Sequence, residues 1–281
     1  MTRLQVRIHA ALNASSARWY EGLASDLAAH AWSGLARIGI DAETYGVSRV
    51  VAGDPTAQRH GVALTGLAWA HPVRLDLFDA TMRRRYGALG LQPPPETFSA
   101  SAFEAALARA MVVLDTVAPV GAAVRSLVWS VTPLAVTGPD YDSGFSDPDV
   151  PLSIFIGAHA PEDEVPPIRL AEGVLHEAMH LQLSLIEDVA PLVVGGVFEH
   201  HSPWQNRPRP TQGLLHGLYV FRVVQDFLRA ALAADALSPA DHAHAQRRIK
   251  QIDADCAQLS ALKTSIDLTP TGRGLVERLE R

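Results

Sequence analysis

The chain has a single cysteine, Cys256, in 281 residues. One thiol excludes an internal disulfide framework, and it excludes any zinc site built from cysteines of this chain. Asp253 and Asp255 flank Cys256 and disfavour a thiolate, so the residue reads as structural. Long apolar runs are missing too. The nearest approach to one, over 189–198, is interrupted by Pro191, Gly195 and Gly196 and falls short of a bilayer's thickness. The opening MTRLQVRIHAALNASS carries no secretory apolar core. The expectation is therefore a protein of a reducing cytoplasm, without a membrane partner. Positive charge is in deficit: 24 Lys and Arg stand against 30 Asp and Glu, for a formal net charge of −6. With no basic stripe interleaved with aromatics, nucleic acid is not an expected partner. The densest basic cluster, Arg83-Arg84-Arg85, sits near Asp76 and Asp79 and reads as a solvated helix face.

What is present is enough apolar residue, 48%, to bury a core of one large domain or two small ones. Trp19, Leu23, Leu27, Trp32, Leu35 and Ile38 recur near helical spacing. The pattern predicts mainly helix over 1–92, including one helix over 64–86 that His71-Pro72 bends or divides. Pro93-Pro94-Pro95 is a rigid connector, and Ser99 or Ser101 caps a helix running to about 117. Residues 126–137 and 152–157 read as strands, and 197–201 as a short one. Helices are predicted over 169–186, 213–234 and 239–264, with a short one in the tail; SPWQNRPRPTQ reads as a proline-rich loop. No internal repeat is visible. The expected architecture is α+β and mostly helical: helices around a small antiparallel sheet, with an N-terminal helical region over 1–120 and a metal-binding catalytic region over 121–281, joined as one unit.

His176-Glu177-Ala178-Met179-His180 is the most informative run. Residues four apart share a helix face, so both imidazoles can reach one metal ion with Glu177 beside them. With 12 histidines in the chain, composition alone would yield roughly 0.02 such runs. The third and sixth residues after His180 are Leu183 and Ile186, which excludes the protease branch that continues with Gly and His. His216 is the leading candidate for a third ligand. Val220, Val223 and Phe227 share its face, which should turn it inward. Glu199, Glu187, His200 and His201 are alternatives, and of the two adjacent histidines only one should enter the site. Three histidines leave coordination positions open. Zinc in such a site activates water, with Glu177 as general base. Ferrous iron there holds a 2-oxo acid and dioxygen, although the familiar iron site has two His and a carboxylate. A 2-oxo acid needs a cation for its distal carboxylate, which Arg209 or Arg207 can supply as a bidentate fork, with Arg222 as a further candidate.

LAEGVLHEAMHLQL, SPWQNRPRPTQGLLHGLYVF and LTPTGRGLVERL together resemble the HExxH motif-containing peptide-modification proteins. The resemblance covers the C-terminal half clearly and the SDPDVP loop more weakly. It departs at Phe221, where some relatives carry a histidine. It implies an iron(II)- and α-ketoglutarate-dependent dioxygenase that hydroxylates a β-carbon in a ribosomally made precursor peptide. Iron ligands would then be His176, His180 and His216; Arg209 matches the family's RP pair better than Arg207; dioxygen and α-ketoglutarate are cosubstrates. In this reading Glu177 orients a ligand, whereas in the alternative, a zinc metallopeptidase, it is the base. The expected partner is a peptide lying beside the exposed edge of the 152–157 strand, bordered by the 141–149 loop with Ser146 and Asp147.

Overall fold

The helices begin where their starting residues stand. Asp79, Ser99, Ser238 and Thr269 each accept a hydrogen bond from an amide of the turn that follows. Those amides have no partner inside the helix, so each cap removes a cost of about 1 kcal/mol. Pro167, Pro239 and Pro270 open three helices at the position where a missing N–H loses nothing.

The computed structural model describes residues 1–13, 18–67, 69–136, 138, 143–160, 163, 165–196 and 199–280. Tyr141 of the expected loop and Val197 of the expected strand lie outside them. In chain order the elements are α1 (Arg3–Asn13), α2 (Glu21–Ala36), α3 (Val47–Ala52), β1 (Gly61–Leu64), β2 (Val73–Asp76), α4 (Ala80–Gly87), α5 (Ala100–Asp115) and α6 (Ala118–Leu127). Then come β3 (Ser130–Leu134), β4 (Gly144–Phe145), β5 (Ser153–Gly157), α7 (Pro167–Glu187), β6 (Glu199–Ser202), β7 (Arg207–Pro210), α8 (Thr211–Ala233), α9 (Pro239–Ala257), a 3₁₀ turn (Leu262–Thr264) and α10 (Pro270–Leu279). The class is α+β with helix dominant.

The sheet is mixed, not antiparallel as expected. Its order is β1-β2-β3-β5-β4, with β2, β3 and β5 parallel and the outer pairs antiparallel. The reason lies in the connections. The chain between β2 and β3 runs through α4, α5 and α6, a crossover long enough to return parallel, and β3 and β5 are buried along their whole length. Pro133 is tolerated inside the sheet because β2 pairs with β3 only at Ser130 and Val131. The strand expected as an exposed edge at 152–157 is not a terminal strand: β5 lies between β3 and β4, and β4 pairs with it at Phe155 and Ile156.

Two further expectations change. No helix spans 64–86; β1, β2 and α4 occupy that stretch, because Val73 and Leu75 alternate into the sheet after His71-Pro72 stops the helix pattern. The proline-rich loop is half strand: β7 pairs with β6 in a two-stranded ribbon, where Pro208 and Pro210 lie on a strand with an open edge.

α7 is the centre of the molecule. It packs against α2, α5, α6, α8, α9 and β5, and is buried nearly all round. One apolar cluster runs from Ile8 to Leu279, and a smaller one around Phe78, Met82, Tyr86 and Phe155 joins α4 to the sheet. Because α7 is the core helix, its polar residues Glu172, Glu177 and Gln182 are buried as well. Burying them is costly unless each is partnered. Among the described residues, no helix is long and apolar enough to cross a membrane.

Candidate functional site

Spacing on α7 sets Glu172, His176 and His180 in one row, and Glu187 continues it near the helix end. α8 packs across this row. His180 Nδ1 and His216 Nδ1 stand 3.2 Å apart, with the rings nearly parallel. The other nitrogen of His216, Nε2, is 2.8 Å from Glu187 Oε2. With the proton on Nε2, donated to Glu187, His216 Nδ1 is left with a lone pair. His176 and His180 have ring centroids 4.9 Å apart and planes at 65°. Two imidazole nitrogens on one ion stand about 3.0–3.4 Å apart when each bond is about 2.0–2.1 Å, so the His180–His216 spacing fits shared ligation. His176 is not drawn into the same cluster. Among the described residues, no three His, Cys, Asp or Glu side chains are gathered to hold a metal ion.

The donor chemistry suits a metal nonetheless. Burial, aided by Arg248 and opposed by Glu172, brings His176 down to about 4. His180 falls well below its usual value through burial and the nearby His176, His216 and Arg209. Both rings are therefore neutral at physiological pH, the form that binds metal.

Glu177 lies under β4, with Oε1 4.0 Å from His176 Nε2. It is 4% exposed. Burial pushes its carboxyl up to about 8, partly offset by a hydrogen bond from Ser146. Gly144 of β4 lies directly over it: a Cβ at that position would come within 2.5 Å of Glu177 Oε1. Only glycine lets the strand approach this closely. Asp147, expected to contact a substrate, is committed elsewhere. It is buried and accepts from Arg85 Nε at 2.8 Å and the Tyr86 hydroxyl at 3.0 Å.

An aromatic block closes the site beside His176. Phe221 meets the His176 ring edge-on at 5.0 Å, and Trp204 stacks on Phe221 at 4.7 Å. Trp204 can press onto α8 because residue 217 there is glycine, whose Cβ position the indole fills. Arg209 on β7 lies against Gly213 of α8, near enough to oppose protonation of His180. It is half-buried, and its side chain makes no hydrogen bond or ion pair among the described residues. Arg207 is exposed and donates to Gln205 at 3.0 Å. Arg222 is taken by Gln225 and Asp253 at 2.8 and 3.0 Å. His200 pairs across the ribbon with Arg209 and so shares its face, while His201 and Glu199 are exposed.

Two pairings escape a reading of the sequence. Glu187, an alternative ligand by sequence, stands against His216 Nε2. Glu172 anchors α9: it accepts from Arg248 Nε at 2.5 Å and pairs with His244 Nε2 at 3.1 Å. Its place one turn before His176 was the available signal. A cavity of about 580 Å³ opens here, lined by Ser143, Gly144, His176, Glu177 and Phe221, and also by Arg169, His244, Arg247 and Arg248. No protein-family model matches the chain, and no curated protein matches it either.

Proposed function

We propose that the chain is an iron(II)- and α-ketoglutarate-dependent dioxygenase that hydroxylates a β-carbon of a residue in a ribosomally made precursor peptide. The observation that carries this reading is the approach of His216 to His180 at 3.2 Å with Glu187 behind it. A ligating histidine held by a carboxylate on its far nitrogen is the usual support of a metal-bound imidazole. His176, His180 and His216 are the residues that hold the ion. Iron(II), when bound, supplies dioxygen activation coupled to decarboxylation of α-ketoglutarate. The balance is peptide C–H, α-ketoglutarate and dioxygen in, and peptide C–OH, succinate and carbon dioxide out.

The chain's own residues do the rest. Glu187 holds the Nε2 proton of His216 and leaves Nδ1 for the metal. Arg209 binds the distal carboxylate of α-ketoglutarate; it is a cation with no other anion to serve among the described residues. Phe221 and Trp204 exclude water beside His176. Glu177 borders the cavity where the peptide lies, held in place by Ser146. The test is anaerobic loading with iron(II), then admission of air with α-ketoglutarate. Succinate formation that requires iron supports the reading; peptide cleavage that requires zinc, without succinate, overturns it. One observation favours that second, metallopeptidase reading. Glu177 faces the cavity with its proton affinity raised by burial, as a general base working near neutral pH would be.

Arg209→Lys is expected to weaken α-ketoglutarate binding by about 10- to 100-fold, because an ammonium cannot reproduce the bidentate fork. Binding of the peptide should change little. An unaltered apparent affinity for α-ketoglutarate moves the role to Arg207 or another cation.

A further inference from the structure

One wall of the cavity is cationic in an acidic protein. Arg169, Arg247 and Arg248 face it, against the carboxylates Glu172 and Glu177, in a chain of formal net charge −6. Glu172 is already engaged by Arg248 and His244. Arg248 is built to hold a second anion. Its Nε is fixed on Glu172 at 2.5 Å, and its guanidinium carbon lies 5.2 Å from the Phe221 ring centre. Its two terminal amino groups have no partner among the described residues. A guanidinium held at one edge and against an aromatic face offers the opposite edge to a carboxylate with little ordering left to do. Arg247 is exposed beside it and has no hydrogen-bond or ion-pair partner among the described residues. Within an otherwise acidic surface, such a wall concentrates the local field on an incoming anion.

The geometry also gives the reach. Arg248 lies 5.2 Å from Phe221, and Phe221 lies 5.0 Å from His176. Arg248 is thus no more than about three extended residues from His176, at about 3.3 Å per residue. We propose that this wall is a docking subsite for an acidic peptide segment, in which an Asp or Glu within three positions of the residue lying over His176 places its carboxylate on Arg248 and Arg247. The proposal rests on the reading of this site as one that acts on a peptide. It names the class: a substrate acidic around its modified position.

The test uses the full chain, kept metal-free with a chelator. Two rhodamine-labelled heptapeptides are compared by fluorescence anisotropy: alternating Gly and Asp, and the same with Asn. The Asp peptide is expected to bind at least about tenfold more tightly, and added salt should weaken it. Arg247→Glu, a change at an exposed position, should weaken the Asp peptide by about tenfold or more and leave the Asn peptide unaffected. Arg248→Lys keeps the charge but loses the fork, so it should weaken the Asp peptide to a smaller extent. Equal binding of the two peptides, or wild-type affinity in both variants, overturns the proposal. So does displacement of the Asp peptide by an equimolar amount of α-ketoglutarate, which would make the wall the 2-oxo acid site. Because binding is read without metal, a failure here is distinct from a failure of iron-dependent succinate formation.

Discussion

In the proposed iron site, His180→Ala is expected to lose iron binding by roughly a thousandfold or more, since removing one of three proposed ligands forfeits on the order of 4 kcal/mol of metal affinity. His180 neighbours both of the other histidines, 3.2 Å from His216 by nitrogen and 4.9 Å from His176 by ring centre. Anaerobic titration of iron(II) against a competing chelator measures the effect, with circular dichroism as the control for folding. His176→Ala and His216→Ala should each fall in the same range. Glu187→Gln should cost less, about 10- to 100-fold, because it alters only the hydrogen bond that sets the His216 tautomer. The comparison of the last two is decisive for the third ligand. If His216→Ala costs no more than Glu187→Gln, His216 orients His180 from behind and does not ligate. Burial brings His176 down to about 4 and His180 well below its usual value, so protons compete little with the metal at these two rings near neutral pH.

Glu172→Ala is expected to destabilise the fold by about 3–5 kcal/mol, the cost of removing one partner from a buried ion pair. Glu172 is 8% exposed and receives Arg248 and His244. Without it Arg248 keeps only the Phe221 ring among the described residues, and α9 is tied to α7 by one carboxylate fewer, Asp241 on Ile168 N remaining. Urea denaturation followed by circular dichroism measures this, and a loss below about 1 kcal/mol would sink the claim. The same carboxylate gives a pH dependence with a definite sign. Burial raises its pKa, but the hydrogen bond from His244 and the charge and hydrogen bond of Arg248 outweigh it, and the net shift is downward. A depressed folded pKa means that the unfolded chain binds the proton more readily. The stabilisation is present above the ordinary glutamate range and is lost as pH falls through the folded value. Wild type should therefore lose stability on acidification through that range, and Glu172→Ala should lose less.

The amino-acid sequence determined what depends on neighbours along the chain. Capping residues and opening prolines set the starts of α5, α9 and α10, and four-residue spacing set Glu172, His176 and His180 in one row on α7. The inward turn of His216 followed from the apolar face it shares with Val220, Val223 and Phe227. Tertiary structure decided whatever depends on partners outside the segment itself. β2 became a strand because β1 and β3 flank it, β3 more than 50 residues later, and the proline-rich segment became β7 because it pairs with β6 across a short turn. Local preference cannot register either pairing, since a strand is stabilised by hydrogen bonds to a partner and not by bonds within itself. The same holds at the site. That Glu187 serves His216, that Gly144 covers Glu177 and that Arg248 sits between Glu172 and Phe221 follow from how α8, β4 and α9 cross α7. Crossing angles between packed elements are set by side-chain interlock over the whole core, which no single segment encodes.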